Sequence, residues 1–114
     1  MRSRPAAFDV VVAADTLVYF GALEQAVAAA MTCLRLGGLL IFTVERWDTD
    51  DVESRYRMGA HGRYIHAARY VERVLRAAGY APRELQPCVL RSELGTDVQG
   101  LVAVARLGDQ LFTG

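Results

Sequence analysis

Two short runs of consecutive apolar residues constrain this chain more than any other feature. Val10, Val11 and Val12 stand side by side in Phe8-Asp-Val-Val-Val-Ala-Ala14, and Leu39-Leu-Ile-Phe-Thr-Val44 repeats the pattern. A strand with one face in water alternates apolar and polar residues. Runs without alternation fit strands covered on both faces, as in a parallel sheet. Parallel neighbours need a long crossover, usually helical. Leu23-Glu-Gln-Ala-Val-Ala-Ala-Ala-Met-Thr-Cys-Leu34 supplies one. Its Leu23, Ala26, Val27, Ala30, Met31 and Leu34 follow helical spacing. Gly37-Gly38 is expected to stop that helix, because glycine takes the left-handed cap conformation at little steric cost. Strand, helix and strand together make a βαβ unit.

Downstream, Glu45 to Gly62 dissolves into charges and glycine, and reads as a long loop with a helical turn, a common form for functional lids. Ala67 to Ala78 is a clear amphipathic helix. Ala67, Tyr70, Val71, Val74, Leu75 and Ala78 share its apolar face, and Gly79 caps it. Glu84 to Glu93 and Gly100 to Ala105 read as two strands joined at Gly95-Thr-Asp97, so they must be antiparallel. The expected order is β-α-β-loop-α-β-β in one α/β domain spanning residues 1–114. It has no internal repeat.

At 114 residues the chain holds about one of the two βαβ halves that many α/β enzymes assemble. Thirteen basic residues balance thirteen acidic ones, which argues against a polybasic nucleic-acid arm. Every basic residue is Arg, so no mechanism in this chain uses a lysine Schiff base or P-loop lysine. Cys33 and Cys88 lie far apart in apolar surroundings and are expected to be reduced core thiols of a cytoplasmic protein. No Cys/His spacing suggests a metal. The N-terminal residues make a poor signal peptide, and no apolar run is long enough to span a membrane.

Three segments, taken in order, resemble the second half of the class I S-adenosylmethionine-dependent methyltransferases. Phe8-Asp-Val-Val-Val-Ala-Ala-Asp-Thr-Leu-Val-Tyr-Phe20 resembles that family's fourth strand and following loop. Cys33-Leu-Arg-Leu-Gly-Gly-Leu-Leu-Ile-Phe42 resembles its turn into the fifth strand, with Leu36 where the family usually has proline. The closing hairpin resembles the end of its sheet. The similarity covers residues 8–106. Gly62-Arg-Tyr-Ile-His66 with Tyr70 resembles the branch that carries tetratricopeptide repeats. The resemblance implies a partial Rossmann-like sheet of parallel strands ending in an antiparallel hairpin. It also implies S-adenosylmethionine as cofactor, and methyl transfer to a small molecule or protein side chain. The family's glycine-rich cofactor loop has no counterpart, since no Gly-x-Gly occurs. A truncated or partial methyltransferase is the expectation that follows.

In open α/β sheets, ligands sit beyond the carboxyl ends of the strands. That places Ala14, Asp15, Thr16, Leu17 and Tyr19 at the ligand edge, where the resemblance implies a cofactor pocket. Asp15 reads equally as a cap or loop-ordering residue, and Asp9, at the far end of its strand, reads as structural. No catalytic residue is specified, because an activated sulfonium donor asks mainly for alignment. Candidates are Glu45, which ends the second strand beside Arg46 and Trp47, and His61, Tyr64 and His66. Each could assist proton transfer. Their plainer readings are a carboxylate paired to a nearby arginine, a helix cap at His66, and aromatic core. Two rivals remain. One is a non-catalytic module that pairs with a partner or a second copy through the Phe8–Ala14 edge strand. The other is a fragment of a nucleotide-binding or reductase α/β enzyme.

Overall fold

The computed structural model describes residues 8–13, 22–59 and 62–108. In chain order the elements are β1 (Phe8–Ala13), α1 (Glu24–Met31), β2 (Leu34–Arg46), β3 (Tyr56–Met58), β4 (Tyr64–His66), α2 (Ala68–Ala77), β5 (Tyr80–Glu93) and β6 (Thr96–Leu107). All strands form one sheet. β1 runs parallel to β2, from Val10 beside Leu39 to Ala13 beside Phe42. β6 runs antiparallel along the other edge of β2, and β5 antiparallel outside β6. The last strand thus lies between the second and the fifth. β3 and β4 form a small hairpin, and β4 lies parallel to β2 at Glu45 and Arg46.

Alternation within the strands decides which face is the core. Leu40, Phe42 and Val44 of β2, with Leu101, Ala103 and Ala105 of β6, are buried under the helices. The amphipathic pattern of α2 holds as expected: Tyr70, Val71, Val74 and Leu75 are buried. The opposite face of the sheet is open. Phe8, Val10 and Val12 are 56%, 45% and 62% exposed, so the three valines are covered on one face only and not on both. Among the described residues both helices pack on the other side, which leaves Phe8, Val10 and Val12 exposed.

Three local expectations also change. The first helix ends at Met31, not Leu34, where the Thr32 hydroxyl donates to the Ala29 carbonyl at 2.7 Å. Leu34 already belongs to β2, so Gly37-Gly38 lies inside a strand and caps nothing. Gly37 adopts φ +85° at an irregularity in the β1–β2 register, and a Cβ on Gly38 would lie 3.0 Å from the Asp9 carbonyl oxygen. Glycine is needed there for the close approach of β1. The charged stretch after Glu45 contains β3, too short to be read from period alone. His66 does not cap α2: the N-cap is Ala67, without a side-chain bond, and His66 is an interior residue of the sheet. Cys33 and Cys88 are both free thiols and half-buried. Among the described residues no helix is long and apolar enough to cross a membrane.

The helices are tied by one phenol. Tyr70 Oη accepts the Leu23 N–H at 3.0 Å and donates to Glu24 Oε1 at 2.8 Å, serving the start of α1 where no side-chain cap exists. Tyr80 Oη donates to the Val27 carbonyl at 3.1 Å. Burial is the main cause that pushes both phenols up to about 12. Since an unfolded tyrosine ionises near pH 10, their contribution is complete below about pH 10 and is lost as pH rises toward 12. Tyr70→Phe strands a buried N–H and should cost about 1–3 kcal/mol in urea unfolding at neutral pH. The variant should also lose less stability than the parent when melts are repeated through the alkaline range.

Candidate functional site

Because β1 and β2 are parallel, their carboxyl ends point to the same edge of the sheet, the place where open α/β sheets hold ligands. The antiparallel closing strands bring their turn to the same edge: Glu45 of β2 faces Gly100 of β6, and Glu93 ends β5 opposite Thr96. An open cleft of about 690 Å³ forms there. Glu45, Arg46, Arg63, Glu93 and the Leu94–Gln99 segment surround it.

A closed ring of charge lies along one side. Arg63 Nε donates to Glu45 Oε2, and Arg63 Nη2 donates to Glu93 Oε1 at 2.9 Å. Arg91 Nε donates to Glu93 Oε2 at 3.0 Å, and its Nη2 to Glu45 Oε2 at 3.3 Å. Two guanidiniums and two carboxylates therefore alternate, joining β2, β5 and the residue before β4. Hydrogen bonds first from Arg91 and then from Arg63 hold the Glu93 carboxyl below its usual range. The bond to Glu45 is the main cause that raises Arg63 further above its ordinary value. Arg46 is also fully engaged, with Asp48 Oδ1 at 2.9 Å, the Gly100 carbonyl at 3.2 Å and Gln99 Oε1 at 3.3 Å.

Among the described candidates for proton transfer, Glu45 stands apart from Tyr64 and His66. Glu45 is buried and lies in this ring, on the sheet face away from the helices. His66 pairs with Arg46 across β2 and lies on the helix face. It is fully buried, stacked on Tyr70 at 6.4 Å between centroids. Tyr64 shares that face, two residues earlier, edge-on to Tyr56 at 5.8 Å. Strand alternation puts Glu45 and His66 on opposite sides of one sheet, so they cannot act on one atom. Trp47 is half-buried with the Arg57 guanidinium 5.4 Å from its ring centroid. Asp9 makes an exposed ion pair with Arg35 at 2.9 Å, a structural role of small energy. Ala14, Asp15, Thr16, Leu17, Tyr19 and His61 lie outside the described residues.

Sequence reasoning passed over Arg63, Arg91, Glu93 and Leu94. The ring was illegible because three of its four pairs join residues 18, 30 and 46 positions apart in the chain. Leu94 did carry a signal. Leu94-Gly95 forms a two-residue hairpin turn with φ +52° and +81°, where asparagine or aspartate before glycine is the favoured choice.

No family model and no curated protein matches the chain. Solved structures do match in fold. The Burkholderia thailandensis 1,6-didemethyltoxoflavin-N1-methyltransferase, solved with 1,6-didemethyltoxoflavin and S-adenosylhomocysteine, superposes with a TM-score of 0.70 at 21% identity over 95% of this chain and 47% of that one. A Methanosarcina mazei S-adenosylmethionine-dependent methyltransferase gives 0.67 at 12% identity, over 95% of this chain and 63% of its own. The [4+2]-cyclase SpnF gives 0.68 at 17% identity, over 95% and 53%. The chain has the fold of class I methyltransferase structures and spans about half to somewhat under two thirds of their length.

Because the Glu93 carboxyl is held low, the ring is intact above the ordinary glutamate range and is lost as pH falls through the folded value. The protection of amides 93–97, measured against their intrinsic exchange rates, should therefore fall as pH drops below the ordinary glutamate range. Glu93→Gln should lower that protection at neutral pH and flatten the acid-side response.

Proposed function

We propose that this chain is the carboxyl-terminal part of a class I S-adenosylmethionine-dependent methyltransferase that acts on a small molecule or a protein side chain. The observation that carries the reading is the strand arrangement: parallel β1 and β2, followed by an antiparallel final strand inserted between β2 and β5. The Burkholderia structure with that fold is a methyltransferase solved with S-adenosylhomocysteine.

On this reading, Ala14, Asp15, Thr16, Leu17 and Tyr19 receive the cofactor. Ala13, the last described residue of β1, has a small side chain and lies beside Phe42, four residues before β2 ends at Arg46. The cofactor, when bound, supplies a methyl group on an activated sulfonium. The chain's own residues then hold the acceptor and keep the geometry. Glu45 positions Arg63 and Arg91 and does not serve as a free base, since both guanidiniums engage its Oε2. The segment Gly62-Arg-Tyr-Ile-His66 with Tyr70 further relates the chain to methyltransferases that carry tetratricopeptide repeats.

The test is a titration of the isotope-labelled chain with S-adenosylhomocysteine, followed by amide chemical shifts. Shifts should concentrate at residues 13–24 and 43–47. Their absence at millimolar ligand would overturn the placement of the cofactor on this chain.

A second reading is favoured by one observation. Phe8, Val10 and Val12 project exposed from β1, which among the described residues pairs with β2 alone. Such an edge accepts another strand. Self-association through it predicts a concentration-dependent sedimentation coefficient that Val10→Lys abolishes. A constant monomer value up to high micromolar concentration removes this reading.

A further inference from the structure

The tip of the β5–β6 hairpin is built against both local sterics and water. Leu94 sits in the left-handed region at φ +52°, where a side chain with a Cβ is disfavoured. It is also fully exposed, at 100%. The turn would be more stable with asparagine in that place, and among the described residues nothing packs on the leucine. Residues held in sparsely populated conformations cluster at functional sites. This one stands at the lip of the cleft, at the ligand edge of the sheet.

The cleft below it has a definite chemistry. Its guanidiniums already face carboxylates inside the protein: Arg63 bonds Glu45 and Glu93, and Arg46 bonds Asp48. Asp97 is exposed and accepts a hydrogen bond from Ser92 Oγ at 2.9 Å. An anionic ligand group would have to break one of these pairs to find a cation. Thr96 and Gln99 supply neutral hydrogen-bonding groups, and Leu94 and Val98 supply apolar surface.

We infer that this cleft binds a neutral amphipathic small molecule, with Leu94 packing on its apolar part and Thr96 and Gln99 meeting its polar group. That the ligand is the methyl acceptor rests on the function proposed above. Leu94 is then a specificity-determining residue, held in place because the Glu45–Arg63–Glu93–Arg91 ring anchors the hairpin to β2.

The experiment uses N-phenyl-1-naphthylamine, a neutral amphipathic probe, and its anionic relative 1-anilinonaphthalene-8-sulfonate, with binding read by fluorescence and by amide shifts. The neutral probe should bind saturably and shift residues 94–99, and the sulfonate should bind at least about tenfold more weakly. Leu94→Asn should weaken the neutral probe at least about fivefold through lost apolar contact. The same variant should melt about 4 °C higher, since strain is relieved, so a folding defect cannot explain the loss. Val12→Thr, on the open sheet face, should leave probe affinity unchanged. Equal affinity in Leu94→Asn, equal loss in Val12→Thr, or equally tight sulfonate binding would each overturn the inference. Amide shifts caused by S-adenosylhomocysteine, recorded on the same samples, report separately on methyl transfer. Their absence counts against that reading, while probe binding indifferent to residue 94 counts against this one.

Discussion

Everything in this fold is referred to β2. Its 13 residues form a single continuous strand that takes three partners. One edge pairs with β1 in its middle and with β4 at its carboxyl end, and the other edge pairs with β6 from Leu39 to Glu45. Alternation then divides the molecule. Leu40, Phe42 and Val44 look into the helices, and the residues between them look out to the open face. Because β1 is parallel and β6 antiparallel to the same strand, strand ends, a strand start and a hairpin turn all meet at one edge. The cleft and the charge ring are consequences of that meeting.

Long-period features are legible in the amino-acid order alone. The α2 stripe of Tyr70, Val71, Val74 and Leu75 repeats often enough that packing has one solution. The closing hairpin can be read because two apolar runs flank a turn. Its outer position also suits Pro82 and Pro87, which a sheet tolerates only at an edge. What misleads is local: Gly37-Gly38 carries the composition of a helix stop, yet tertiary pairing of Phe8 with Leu34 draws the strand back across it. In the same way, three valines in a row say that a strand is apolar on both faces. They do not say that both faces are covered by this chain.

The candidate site is legible in place but not in membership. Glu45 stands out because strand ends are predictable, and its plainer reading, a carboxylate paired to arginine, describes what surrounds it. Its partners do not stand out, since an ion pair between Glu45 and Arg91 depends on the β2–β6–β5 register and leaves no mark in either neighbourhood. His66 meets a parity constraint. A single residue's shift along β2 separates the face of Glu45 from that of Arg46, and pairing carries His66 with Arg46.

A closed ion ring and a strained leucine make opposite contributions, and their adjacency is informative. Two carboxylates that each serve two guanidiniums restrain three chain segments at once, so the turn they support can carry an unfavourable residue without fraying. A hairpin optimised for stability alone would place asparagine at position 94 and would need no such anchor. A hairpin that must present an apolar side chain at a fixed place needs both. Methyl transfer from an activated donor demands position more than acid or base strength. On the reading proposed above, a site whose charges hold a turn matches that demand: the ring supplies rigidity, and the leucine supplies contact.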